Sequence, residues 1–267
     1  MMPPPLLAVE NLGKSYGGVH AVRDVSLTLD RAELLALIGP NGAGKSTCFN
    51  MLNGQVRPDR GRIRLDGRDT TGLPPRRVWR LGVGRTFQVT ATFGSMLVRE
   101  NVQVALLSHA RALWRPFGSA AGRACGAAAD ALLALVDMGS QAGRPCAELA
   151  YGDLKRLELA VALANRPALL LMDEPTAGMA PAERAGLMRL VAAVARERRI
   201  GVLFTEHDMD VVFGHADRVM VLDRGEVIAA GPPDAVRRDA RVRAVYLGEE
   251  GLAYAARFSR GGEAVAP

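Results

Sequence analysis

Gly39-Pro40-Asn41-Gly42-Ala43-Gly44-Lys45-Ser46-Thr47 is the stretch on which the reading of this chain turns. It matches the pattern Gly-x-x-x-x-Gly-Lys-Ser/Thr, and its setting is right: the apolar run Leu34 to Ile38 precedes it and a helix opens on it. Glycines at a strand-to-helix turn let the backbone wrap a phosphate chain. Their N–H groups and the helix N-terminus supply positive potential there. Lys45 is placed to reach the β- and γ-phosphates and Ser46 to ligate Mg²⁺, so residues 39 to 47 are assigned to a nucleoside triphosphate.

Outward from this loop, Leu6 to Leu12, Val22 to Leu29 and Arg62 to Leu65 are further β-like runs, and Asp66-Gly67 is a hairpin-turn signal. The helix opened by the loop runs from Gly42 until Asn53-Gly54 stops it. From Asn101 to about Pro145 strand signals give way to Ala, Leu, Arg and Gly, which reads as a helical insertion. A helix then starts near Asp153 and runs to Ala164. Bare apolar strands follow at Ala168 to Met172, Ile200 to Thr205 and Arg218 to Asp223, separated by helices over Pro181 to Arg198 and Met209 to Gly214. Strands without alternation, joined by helices, make a parallel sheet covered on both faces. The expected fold is α/β, with a mostly parallel core sheet, an N-terminal antiparallel β subdomain and a helical subdomain over about residues 101–165. Residues 6–250 read as a single domain and 251–267 as a loosely ordered tail.

A second chemical signal is Leu169-Leu170-Leu171-Met172-Asp173-Glu174, a buried strand ending in two carboxylates. That places them at the carboxyl edge of the sheet, beside the phosphate loop. Asp173 is expected to hold Mg²⁺ directly or through water, and Glu174 to accept a proton from, or orient, the attacking water. Loop and carboxylates together still leave several NTPase classes open. Leu149-Ala150-Tyr151-Gly152-Asp153, between them at the start of a helix, narrows the choice.

This segment resembles the LSGGQ signature of ABC ATPases. With the rest of the chain, over roughly residues 6 to 250, it resembles the ATP-binding subunit of branched-chain amino acid importers. The resemblance implies a P-loop NTPase fold of the ABC type, with ATP and Mg²⁺ as ligands. It puts Tyr16 against adenine and Gln88, in Arg85-Thr86-Phe87-Gln88, at the Q-loop, where it touches Mg²⁺ or the attacking water. Ala177 to Pro181 fall at the D-loop, and His207, in Thr205-Glu206-His207-Asp208, at the γ-phosphate switch position. Ala150, Tyr151 and Gly152 then complete the nucleotide site of a second subunit in trans, which implies a dimer sandwiching two ATPs. The ending Val245-Tyr246-Leu247-Gly248-Glu249 is typical of this branch.

Three positions depart from the general pattern. Ala150 replaces the signature Ser, so backbone N–H groups near Tyr151 and Gly152 and the helix dipole have to make the phosphate contact. Asp153 replaces the usual Gln and reads as a helix N-cap. Ala180 removes the D-loop Asp or Asn. His20, His109 and His215 stand in no comparable context and are assigned no role.

The bulk composition narrows the setting. No run approaches the ~18 apolar residues of a membrane span, so membrane work falls to a partner. The opening MMPPPLLAVE has neither the basic start nor the apolar core of a secretory signal. Cys48, Cys125 and Cys146 show no metal or disulfide spacing, which fits a reducing cytoplasm. The net charge of +6 invites a nucleic-acid reading, but the Arg residues are scattered among acids and aromatics are only 5%, so no nucleic-acid partner is expected. The resemblance implies a second ABC ATPase subunit, of the same or a different chain, together with integral-membrane permease subunits and, indirectly, a periplasmic solute-binding protein. It places the chain peripherally on the cytoplasmic face of the membrane. Alternatives are the ATPase of an importer for urea or aromatic acids, of an exporter, or a soluble ABC ATPase acting on nucleic acid. A regulatory module with dead chemistry is opposed by the intact Lys45, Glu174 and His207.

Overall fold

The computed structural model describes residues 4–86, 92–110 and 120–250; Gln88 and the tail 251–267 lie outside that set. Two long strands, β1 (Leu7–Tyr16) and β2 (Val19–Leu29), pair antiparallel from Leu7↔Leu29 to Tyr16↔Val19. After β3 (Leu34–Ile38) and α1 (Lys45–Leu52), β4 (Arg60–Leu65) pairs antiparallel with β1 and with the short β5 (Arg68–Asp69). The β4–β5 turn is Asp66-Gly67 as expected, both residues at positive φ (49° and 74°), the geometry of a two-residue hairpin loop. A short helix α2 (Pro75–Arg80) leads into β6 (Val83–Thr86).

Three helices follow before the next strand: α3 (Val98–His109), α4 (Ala120–Leu135) and α5 (Tyr151–Leu163). The helical segment thus opens at Val98, three residues ahead of the expected start, because Glu100 takes the Leu97 N–H (2.8 Å) and closes the first turn. The remainder alternates: β7 (Leu169–Asp173), α6 (Pro181–Arg198), β8 (Gly201–Thr205), α7 (Met209–His215) and β9 (Arg218–Asp223). The hairpin strand β10 (Glu226–Gly231), α8 (Pro233–Arg238) and α9 (Ala240–Glu250) complete the described chain.

One sheet has the order β2-β1-β4-β5 and is antiparallel; the other has the order β10-β9-β3-β8-β7-β6 and is parallel except at its β10 edge. In β3 every residue is buried, and the period of two divides them. Leu34, Ala36 and Ile38 enter the core under the helices, with Val102, Leu133 and Leu157. Leu35 and Leu37 face the antiparallel sheet, with Leu7, Leu29 and Phe49. β7, β8 and β9 divide in the same way, so the bare apolar runs have apolar partners on both faces. The parallel strands end at one edge, and from that edge the loops carrying the predicted chemistry depart.

Candidate active site

The phosphate loop leaves β3 and enters α1 through Gly44, which stands at φ 103° as the helix N-cap. Two glycines in it are enforced by backbone packed close by. A Cβ on Gly39 (φ 152°) would lie 2.1 Å from the Leu222 carbonyl oxygen of β9, and one on Gly44 would lie 2.3 Å from that of Ala21 in β2. The loop is therefore wedged between both sheets. Lys45, only 8% exposed, donates from Nζ to the carbonyl oxygens of Gly39 (2.6 Å) and Pro40 (3.0 Å). Asn41, Gly42 and Ser46 are exposed, while Ala43 is buried and donates its N–H to Pro40. Behind the loop, burial pushes the Cys48 thiol up to about 12, so it packs as a small apolar side chain.

Asp173 and Glu174 end β7 beside Thr205 at the end of β8, where Asp173 and Thr205 are direct register partners. The Thr205 hydroxyl donates to Asp173 Oδ1 (2.8 Å) and lies 3.2 Å from the Glu174 N–H, which also donates to the Thr205 carbonyl (3.1 Å). Arg85 in β6 donates from Nη2 to Asp173 Oδ2 (3.3 Å) and from Nη1 to Asn50 (3.0 Å) and Gln55 (2.9 Å). Glu174 has φ 49°, a left-handed conformation that a non-glycine residue keeps only where its surroundings over-determine it. Its Oε1 lies 2.9 Å from His207 Nε2. With the carboxylate ionised, Nε2 is the donor. The His207 side chain is half exposed and Glu174 is less so, which leaves the imidazole open to an incoming ligand.

The expected trans residues lie elsewhere. Ala150 is the N-cap of α5, and Tyr151 and Gly152 form its first turn. The helix begins two residues earlier than expected, so Asp153 is not its N-cap; it lies in the first turn, where its charge complements the helix dipole. The Tyr151 hydroxyl donates to the Ala177 carbonyl (3.1 Å), and a Cβ on Gly152 would meet Glu183 Oε1 at 3.3 Å. These contacts are with the segment after Glu174. In that segment Glu183 takes the Ala180 N–H (3.1 Å), so the carboxylate of the first α6 turn caps a helix whose N-cap residue has no polar side chain. Tyr16 ends β1 with 49% of its surface exposed and the Lys14 ammonium 5.5 Å from its ring centroid. The structure thus brings Lys45, Asp173, Glu174 and His207 to one sheet edge, with Tyr151 and Gly152 on the neighbouring segment. Gln88 lies outside the described residues. Sequence reasoning assigned no role to Thr205, Glu206 and Arg85, which stood inside the quoted segments; only the folded strands show that Thr205 and Arg85 meet Asp173 and that Glu206 meets Thr176 and the His207 N–H.

A phosphate loop on a central strand and a carboxylate pair one strand beyond its neighbour define a P-loop nucleotide-hydrolysing protein of the α/β class. Residues 22–177 match the family described as ABC transporter, and residues 226–251 match that described as branched-chain amino acid ATP-binding cassette transporter. A high-affinity branched-chain amino acid transport ATP-binding protein, LivG of Salmonella typhimurium, is 40% identical over 255 residues, spanning 93% of this chain and all of that protein. The crystal structure of the ADP conformation of MJ1267, an ATP-binding cassette of an ABC transporter, superimposes with a TM-score of 0.82 at 28% identity, covering 92% of this chain and 100% of that one. A dimeric post-hydrolysis cassette, MJ0796 bound to ADP and Pi, gives a TM-score of 0.72 at 25% identity over 85% of this chain and 98% of that one. This chain belongs to the ABC transporter family, as one of its ATP-binding, ATP-hydrolysing subunits. Among the described residues no helix is long and apolar enough to cross a membrane.

Proposed function

We propose that the chain energises a branched-chain amino acid importer, hydrolysing Mg-ATP as one half of a nucleotide-sandwich dimer. The pairing of Glu174 Oε1 with His207 Nε2 at 2.9 Å, on the sheet edge that carries the phosphate loop, is the observation that carries the hydrolysis, and the 40% identity to LivG supports the importer assignment. Residues 6–250 act as a single ATPase domain. Loop N–H groups and the α1 N-terminus take the phosphates, and Lys45 exchanges its two carbonyl partners for β/γ oxygens. Tyr16 offers its exposed ring to adenine. Glu174 accepts the proton of a water whose oxygen attacks the γ-phosphorus as the bond to the bridging oxygen breaks. His207 then turns its N–H from Glu174 to the γ-phosphate, since one donor cannot serve both.

Magnesium is held through one or two carboxylates, substrate phosphates and water. Ser46 and Asp173 provide a donor set of that kind, with Gln88 as the third assigned residue, and among the described residues no cluster of three His, Cys, Asp or Glu competes for it. When bound, the ion would neutralise charge developing on the phosphates.

Ala150, Tyr151 and Gly152 act on the ATP of the facing subunit. A cavity of about 400 Å³ between α2, β6 and α3, lined by Trp79, Val83, Phe93 and Val104, is the place proposed for the permease. That partner keeps the chain on the cytoplasmic face. Reconstitution with permease and solute-binding subunits tests the reading: leucine is expected to stimulate ATP hydrolysis and enter vesicles at its expense. Hydrolysis indifferent to leucine, isoleucine and valine would contradict the solute assignment.

A further inference from the structure

A third carboxylate lies beside Glu174 and His207, and the chemistry above does not use it. Glu206 is 4% exposed, and its Oε1 accepts both the N–H (2.8 Å) and the hydroxyl (2.6 Å) of Thr176, itself 1% exposed. Its Oε2 takes the His207 N–H at 3.3 Å. A carboxylate in such a place is costly unless hydrogen bonds replace its water. Burial pushes its carboxyl up, as does the Glu174 charge more weakly, and the bonds from Thr176 and His207 oppose them.

The two segments joined in this way carry the reacting groups. Thr176 lies two residues beyond Glu174, whose φ of 49° needs outside support. His207 follows Glu206 directly. Three consecutive residues at the end of β8 therefore each hold a different part of the β7 loop: Thr205 holds Asp173, Glu206 holds Thr176 and His207 meets Glu174. We propose that Glu206 is a positioning residue for ATP hydrolysis, tying the turn after Glu174 to the backbone of His207 and so keeping the two side chains within hydrogen-bond reach. The inference rests on Glu174 and His207 being the hydrolytic pair.

The test is Glu206→Gln and Thr176→Val, singly and combined, in the full chain. Gln keeps an oxygen for Thr176 but sets an amide N–H₂ against the His207 N–H. Val keeps the Thr176 shape and N–H but loses the hydroxyl. For Glu206→Gln, kcat is expected to fall on the order of 10-fold, the scale of a sub-ångström misplacement. Thr176→Val should lose less. Affinity for an ATP analogue is expected to stay within about 2-fold of the parent, and the double variant to be no slower than Glu206→Gln, because both changes cut one link. A parental kcat in Glu206→Gln would overturn the proposal, as would losses in kcat and affinity that merely follow the folded fraction, or additive losses. If Glu206→Gln does not fold, a parental kcat in Thr176→Val overturns it alone. Glu174→Gln run in parallel separates the two readings. Should it turn over at the parental rate, the hydrolytic pair itself is wrong; should it be inactive beside a parental Glu206→Gln, only the positioning role fails.

Discussion

Lys45 and Thr205 illustrate two kinds of dependence at the residue scale. Lys45 is pinned on the carbonyls of its own loop, 2.6 and 3.0 Å away, so its ammonium stands ready where phosphate arrives. Lys45→Ala removes a largely buried charge facing a polyanion, which costs at least about 2 kcal/mol or some 30-fold in affinity. Hydrolysis should be lost while the circular dichroism spectrum is unchanged; turnover at the parental rate would refute the loop assignment. Thr205→Val leaves a part-buried Asp173 oxygen without its hydroxyl donor. We expect about 1–2 kcal/mol less stability by urea unfolding and a lower kcat, both restored by Thr205→Ser. The first residue was legible in the sequence because a motif places chemistry on a named side chain. Thr205 was not, because its role comes from facing Asp173 across two strands, and no local pattern records that register.

Elements were legible in proportion to how far local chemistry agrees with the packing. Asp66-Gly67 announces its hairpin because both residue types accept positive φ. Arg224-Gly225 makes the same turn between β9 and β10, with φ 46° and 84°, but Arg is no turn signal and β10 went unread. The strand ahead of Gln88 has no marked bounds in the sequence because Val-Gly-Arg-Thr has little β character alone; β6 is a strand through its pairing with Leu169 to Met172. α5 hides a buried pair, Lys155 to Glu158 at 3.1 Å, with side chains 4% and 7% exposed. Burial pushes the Glu158 carboxyl up more than Lys155 draws it down. Glu158→Ala should cost about 3–5 kcal/mol in a melting experiment, whereas Lys155→Met with Glu158→Leu should be neutral or stabilising. At the end of β1, Asp59 accepts from Lys14 Nζ (2.7 Å) and the Ser15 N–H (2.8 Å), and these bonds hold its carboxyl below the usual aspartate range. A depressed folded pKa means stability that is present above the unfolded value and lost as pH falls through the folded one. The melting temperature of Asp59→Asn should therefore lie below the parent's near neutrality, and the gap should close in acid below the ordinary aspartate range. A gap independent of pH would contradict this.

For the whole molecule, the proposal that the signature turn addresses the nucleotide of a facing chain makes a single chain an incomplete machine. The Tyr151 hydroxyl on the Ala177 carbonyl joins that turn to the segment following Glu174, and in the proposed sandwich it offers each site a physical route to its neighbour. Ala150 and Ala180 supply no polar side chain to a facing site, whereas the residues proposed for this chain's own ATP include Lys45 on the phosphate loop and Asp173, Glu174 and His207 at the β7–β8 edge. A facing cassette with a Ser signature and a D-loop Asp is therefore expected to raise turnover above that of this chain alone, with unequal losses when the glutamate is changed in either partner. Equal losses, with full activity as a homodimer, would contradict that asymmetry. The most direct measurement of the sandwich itself is light scattering on Glu174→Gln, which retains the side-chain shape but loses the base, alone and with such a cassette. Saturating Mg-ATP should move the mass from 28.4 kDa to about that of a pair, and removing the nucleotide should return it; a chain that stays monomeric in both mixtures at saturating Mg-ATP would contradict the account.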